Sequence, residues 1–177
     1  MEQPTTRAHL TPVVRPCVDE DLPAIQAIYS HYVLNGVATF EIVPPTLGDW
    51  QRKKAEIESY GLPFLVATID DEVVAYAYCS RWRPRPAYRF TVEDSIYVAP
   101  HALGRGIGSI LLPALLTEAA AVGARQVVAV ISGEVIASLA LHARFGFEDA
   151  GRLHAVGYKF DRWLDTVLMQ KALTPAD

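Results

Sequence analysis

Residues 97–116, YVAPHALGRGIGSILLPALL, run from an apolar stretch through a glycine-rich turn into an apolar helical pattern. Three glycines alternate in Gly104-Arg105-Gly106-Ile107-Gly108, where glycine permits positive φ and lets a ligand approach bare backbone. A helix that follows such a turn begins with unpaired N–H groups and the positive end of its dipole, which together favour an anion. Arg105 adds a formal positive charge. These features predict a phosphate cradle, the alternative being a strand-to-helix turn that binds nothing. The dinucleotide pattern GxGxxG needs glycine where Ser109 stands, and an acid after the next strand, where Ile131 and Ser132 stand. The phosphate-loop pattern GxxxxGK[ST] is absent.

Outward from the turn, residues 88–98 read as a strand ended by Pro100. Residues 106–122 read as a helix with Ile107, Ile110, Leu111, Ala114 and Leu115 in one stripe. Pro113 inside that stretch predicts a kink or a late helix start. QVVAVI (126–131) is apolar throughout, as in a strand covered on both faces. Residues 137–145 form a helical pattern stopped by Gly146, and strands follow at 148–156 and 163–170. Before the turn come a strand at 12–16 and helices at 21–34 and 47–60. The second helix has Thr46 and Asp49 placed as a capping box and Gly61 as its stop. Strands at 64–69 and 73–80 flank Asp70-Asp71, a hairpin signal. The order β-α-α-β-β-β-α-β-α-β-β predicts an α/β chain whose mixed sheet of about seven strands carries helices on both faces.

The 177 residues suit one domain, expected over 12–172 between a flexible tail at 1–11 and a tail at 173–177. Apolar residues at 51% and charged residues at 20% indicate a globular chain. A net charge of −4 argues against nucleic acid or an anionic membrane as partner. The opening MEQPTTRAHLT lacks the apolar core of a signal peptide, and no apolar run approaches the ~18 residues of a membrane span, so a cytoplasmic protein is expected. Cys17 and Cys79 lie far apart in apolar surroundings, as buried thiols in a reducing compartment would. The histidines show no metal-ligand spacing, and no metal is expected.

YVAPHALGRGIGSILLPALL, then VVAVI and ASLALHARFGFEDAG, resembles the core of the GCN5-related N-acetyltransferases (GNAT) over residues 97–151. Their loop pattern [QR]xxGx[GA] falls on Leu103 to Gly108, with Leu103 departing at its first position. HYVLNGVATFE (31–41), RPAYRFTVEDSIYV (85–98), AVGYKFDRWLDT (155–166) and VVRPCVDEDLPAI (13–25) are similar to the phosphinothricin and methionine sulfoximine acetyltransferases. The resemblance implies the GNAT fold, a sheet splayed between its fourth and fifth strands with acetyl-CoA in the splay. It implies acetyl transfer to the amino group of a small L-amino-acid-like substrate such as phosphinothricin, methionine sulfoximine or methionine sulfone, and a homodimer. Gly104, Arg105, Gly106, Ile107, Gly108 and Ser109 would hold the pyrophosphate of acetyl-CoA. Ile96, Tyr97 and Val98 would pair with its pantetheine and offer a backbone donor to the oxyanion. Glu93 falls on the general base and His142 on the group that protonates the departing thiolate. Val135 stands where the family has an asparagine touching CoA.

The residue chemistry agrees with those roles and leaves alternatives beside them. An ammonium must lose a proton before it attacks a thioester, and a carboxylate such as Glu93 suits that task; Asp94, facing the other way, or a surface acid without a role are the alternatives. His142 reads otherwise as a packed helix histidine. Arg83 and Arg85, with Tyr88, suit a substrate carboxylate, phosphinate or sulfone, unless they lie on a solvated loop. Phe40 and Tyr158 are candidate apolar walls. A polyamine, aminoglycoside or protein N-terminus could replace the amino acid as acceptor. Leu103 and Val135 also suggest a non-catalytic acyl-CoA-binding domain.

Overall fold

In a computed structural model, which describes residues 11–173, seven strands form one sheet in the order β1-β2-β3-β4-β5-β7-β6. The strands are β1 (Val13–Pro16), β2 (Phe64–Ile69), β3 (Glu72–Arg81), β4 (Thr91–Val98), β5 (Gln126–Ser132), β6 (Glu148–Lys159) and β7 (Arg162–Ala172). The helices are α1 (Leu22–Asn35), α2 (Leu47–Ser59), α3 (Gly108–Ala121) and α4 (Ile136–Arg144). Element order and sheet type are those expected from the sequence. The expected tails fall at 1–10 and 174–177, outside the described residues, except for their inner ends. Leu173 is no tail residue: it is buried, and its N–H donates to Arg125 O at 2.9 Å.

Local chemistry explains most boundaries. Thr46 and Asp49 form the capping box of α2, with Asp49 N–H donating to Thr46 Oγ1 at 3.2 Å and Thr46 N–H to Asp49 Oδ2 at 2.7 Å. Asp70 and Asp71 have φ of 51° and 64°, and Phe160 and Asp161 of 51° and 55°. Both pairs make the two-residue hairpin turn whose twist matches the flanking strands. Two expectations are corrected. The strand expected at 88–98 begins at Thr91, because Pro86–Tyr88 close into a 3₁₀ turn with Arg89 N–H bonded to Pro86 O. The helix expected from Gly106 starts two residues later, at Gly108, and runs on past Pro113.

Side-chain alternation along β4 assigns the two layers. Tyr97 meets Tyr29 and Tyr32 of α1, with ring centroids 5.1 and 5.5 Å away. Trp50 of α2 meets Tyr76 of β3 on that same face at 5.5 Å. Ile96 faces the other side, where the start of α3 packs against Leu141 of α4: a Cβ on Gly108 would lie 3.0 Å from Leu141 Cδ2 and 4.0 Å from Ile96 Cδ1.

β4 and β5 are parallel neighbours only from Thr91↔Gln126 to Asp94↔Ala129. Beyond that point β4 continues to Val98 beside β3, β5 continues to Ser132 beside β7, and the two strands part. The sheet is thus open at its centre. Val130 corrects the expectation that the fifth strand is covered on both faces, being 42% exposed where the gap begins.

Candidate active site

The gap between β4 and β5 forms a cavity of about 190 Å³. Ile96, Tyr97 and Val98 line one wall, Ala129 to Ser132 the other, with Val135, Ser138 and His142 closing one end and Leu103 at its border. Backbone N–H groups alternate between neighbours along a strand. Ala99 N–H donates to Val74 O of β3 at 2.8 Å, so Val98 and Ile96 turn theirs toward the gap. Tyr97 points its N–H to β3 and contributes a ring instead. Its hydroxyl donates to Ala38 O at 3.3 Å, and that of Tyr32 to Val98 O at 2.5 Å.

Past Leu103 the chain enters the glycine turn. Gly104 and Gly106 have φ of 73° and 75°, and a Cβ at either would meet no atom within 4 Å. Glycine is required there by conformation, not by crowding. Among the described residues, none of the N–H groups of Gly104 through Gly108 has a hydrogen-bond partner, whereas Ser109 N–H is closed onto Gly106 O at 3.0 Å. Five successive free donors at a helix start are a geometry suited to an anion. Ile107 takes part through its backbone alone, since its side chain is buried in the core. Arg105 is exposed beside the cradle.

Adjacent acids of β4 enter different environments. Asp94 faces α4, where its Oδ2 lies 2.9 Å from His142 Nε2, and both side chains are almost wholly buried. His142 Nδ1 lies 2.7 Å from Ser138 O. A cationic imidazole would donate from both ring nitrogens, to Asp94 and to Ser138 O. Burial works against that charge, but Asp94 and Ser138 O outweigh it and raise the His142 pKa. Asp94 Oδ1 and Ser132 Oγ are buried without a partner among the described residues, and both residues line the gap.

Glu93 points to the α1–α2 side. Burial raises its pKa, the Asp94 charge adds to the rise, and Arg83 and Lys53 oppose it. Lys53 sits 5.0 Å over the Tyr78 ring. Both line a second cavity of about 450 Å³ with Tyr29, Glu41, Asp49 and Trp50. Nothing in RKKAEIES distinguishes Lys53 from an ordinary exposed helix lysine, and Glu41 stands in an unpatterned loop, so sequence reading missed both.

The other expected acceptor contacts are scattered. Arg83 stacks its guanidinium 4.1 Å over the Trp82 ring and reaches Glu93 through its charge. Arg85 and Tyr88 are exposed in and beside the 3₁₀ turn and line neither cavity. Tyr158 is exposed and packs on Trp163, 5.0 Å between centroids. Phe40 covers Gly157: a Cβ there would fall 2.3 Å from its ring.

Comparison with known proteins bears on this arrangement. The profile of the Acetyltransferase (GNAT) family matches residues 25–147. The chain is 49% identical over 166 residues to a phosphinothricin N-acetyltransferase of Alcaligenes faecalis, covering 93% of this chain and 84% of the relative. It is 42% identical to an L-methionine sulfoximine/L-methionine sulfone acetyltransferase of Pseudomonas aeruginosa, covering 88% and 91%. The fold superposes with a TM-score of 0.90 on a Sinorhizobium meliloti phosphinothricin acetyltransferase in complex with acetyl-CoA, 44% identical over 95% of each chain.

Proposed function

The chain belongs to the GNAT family of acetyltransferases, and from that membership we propose that it moves acetyl from acetyl-CoA to the amino group of a small L-amino-acid-like substrate, phosphinothricin, methionine sulfoximine or methionine sulfone. The observation that carries this reading is the row of unpartnered N–H groups at Gly104 to Gly108 beside an open gap in the sheet. That combination fits a pyrophosphate with an extended amide-bearing arm. Gly104 to Gly108 would hold the phosphates, with Arg105 and Ser109 at the rim, and the Ile96 and Val98 N–H groups would face the arm. Acetyl-CoA bound there supplies an activated acetyl thioester.

The chain's own groups divide the proton work. Glu93, its pKa raised by burial, accepts a proton from the acceptor's ammonium and frees the lone pair that forms the new N–C bond. Of the two β4 donors, Ile96 N–H, the further from the glycine turn, is left for the oxygen that gains negative charge, with Val98 N–H on the arm. As the C–S bond breaks, the sulfur keeps the electron pair and needs a proton. Among the titratable groups lining the gap, Tyr32 and Tyr97 have raised pKa values and Asp94 is the carboxylate bonded to His142, which leaves His142, with its raised pKa, as the proposed acid. The second cavity, with Lys53 for a carboxylate, suits the amino-acid acceptor; Glu93 does not line it and is linked to it through the charges of Lys53 and Arg83, and Arg85 and Tyr88 stand further out.

Thiol release from acetyl-CoA over a panel of amines tests the reading. Turnover with methionine sulfone or phosphinothricin, and little with polyamines or aminoglycosides, is the expected result. Release with none of them, despite calorimetric binding of CoA, would make the chain an acyl-CoA-binding domain instead. We further propose a cytoplasmic homodimer, supported by the exposed Leu153, Val156, Phe160 and Trp163 on β6 and β7 and their turn. Sedimentation at the mass of one chain would contradict the dimer.

A further inference from the structure

One segment separates the two cavities. Ala38 lines the gap in the sheet, and Glu41, three residues on, lines the second cavity. Residues 36–46 contain no helix or strand, so the wall has no ladder of its own to hold it. It is held from the sheet by Tyr97, whose hydroxyl donates to Ala38 O, and from α1 by Tyr29, whose hydroxyl bonds Thr39 Oγ1 at 2.7 Å.

The other support comes from β6. Lys159 is 4% exposed. Its Nζ donates to Thr39 O at 2.9 Å and to Tyr32 O at 3.4 Å, and its hydrogen-bond partners among the described residues are these two carbonyls. Burying an ammonium with no carboxylate in hydrogen-bond contact is costly: burial lowers its pKa, and the charge of Glu41 opposes that only in part. Tyr32 lies in the last turn of α1, where helix carbonyls present partial negative charge that offsets part of that cost. Gly157, two residues earlier and so on the same strand face, meets the Phe40 ring where any Cβ would collide. Its φ is not in the left-handed region, so the side chain is missing to make room for the ring. Two unusual residues of β6 thus meet two neighbouring residues of the wall.

We propose that Gly157 and Lys159 form a seat that fixes Ala38 to Glu41 as the shared wall of the two cavities, making Lys159 a positioning residue for the acceptor. The inference rests on reading the second cavity as the acceptor's. It predicts coupling between the β6–β7 hairpin and acceptor recognition, with the cofactor gap less affected: Ala38 and Tyr32 border it, but the Ile96 and Val98 donors belong to β4 and are not held by the seat.

Steady-state kinetics on the full chain test it with three variants. Lys159→Met keeps length and removes the donors; Gly157→Ala pushes on the Phe40 ring; Lys53→Met alters the second cavity directly. Lys159→Met and Gly157→Ala are each expected to raise the acceptor KM about tenfold, as the loss of a pair of buried hydrogen bonds would, while the acetyl-CoA KM stays within about twofold. Hydrogen exchange should quicken at residues 36–43 in both variants and remain slow in β3 and β4. An unchanged acceptor KM in Lys159→Met overturns the proposal, as does an equal rise in both KM values with exchange quickened throughout. In the first case Lys53→Met locates the failure. If it raises the acceptor KM, the seat alone is wrong; if it does not, the second cavity is not the acceptor's.

Discussion

Glu93 and Asp94 are neighbouring carboxylates that the strand period sends to opposite faces of the sheet. Glu93 is proposed as the base. Glu93→Gln should lower kcat by about 100-fold or more and leave acetyl-CoA binding by calorimetry unchanged; normal turnover would remove it from that role. Because burial raises its pKa, the acid limb of kcat/KM should lie above the ordinary glutamate range. Asp94 instead sustains the charge on His142. A histidine whose folded pKa is raised above its unfolded value adds stability that is complete below pH about 6.5 and fades as pH rises through the folded pKa. Thermal unfolding of the wild type should therefore weaken as pH rises from about 6.5 through that value, and Asp94→Asn should abolish this part of the slope. A slope of equal size in Asp94→Asn would refute the cationic pair.

At the level of elements, α3 carries both the cradle and an internal fault. Pro113 lies well inside the helix, so it cannot donate to Ser109 O, and its ring crowds that carbonyl. Thr117 Oγ1 donates to Pro113 O at 2.9 Å, a local bond that leaves the lost one unreplaced. Pro113→Ala should stabilise the protein by about 1–3 kcal/mol in chemical denaturation; a loss of stability would show that the proline is needed by the packing around it. Gly106→Ala tests the cradle itself. With φ at 75° and space around it, alanine costs about 1 kcal/mol of backbone strain. Relaxing that strain would turn the N–H groups away, so calorimetry should show acetyl-CoA bound about tenfold more weakly.

For the whole molecule, the gap in the sheet is the feature that matters. β4 and β5 part after Asp94↔Ala129, leaving main-chain donors of β4 with no partner among the described residues in an otherwise continuous sheet. A ligand that pairs with them binds the folded chain alone and must stabilise it by mass action. Acetyl-CoA at about 100 times its Kd should add about 2.7 kcal/mol and raise Tm by roughly 5–10 °C for a chain of this size. No shift at saturation would mean that the gap is not its site.

Amino-acid pattern alone determined the elements, their order, the capping box, the Asp70-Asp71 turn and the glycine turn, because each rests on residues within a few positions of one another. Gly104 and Gly106 were legible since positive φ is a local demand that glycine meets, and Glu93 with His142 since each sits in a recognisable block. Tertiary structure decided what faces what. The pairing of Asp94 with His142 joins residues 48 apart in the chain. Lys53 and Glu41 share a cavity although one lies in a charged helix and the other in a loop, and Phe40 packs on Gly157 where sequence suggested a substrate wall. Such contacts depend on sheet order and on where β4 and β5 diverge, which no local periodicity encodes. The glycine loop could thus be read from its own residues, whereas the gap that gives it a use exists only in the assembled sheet.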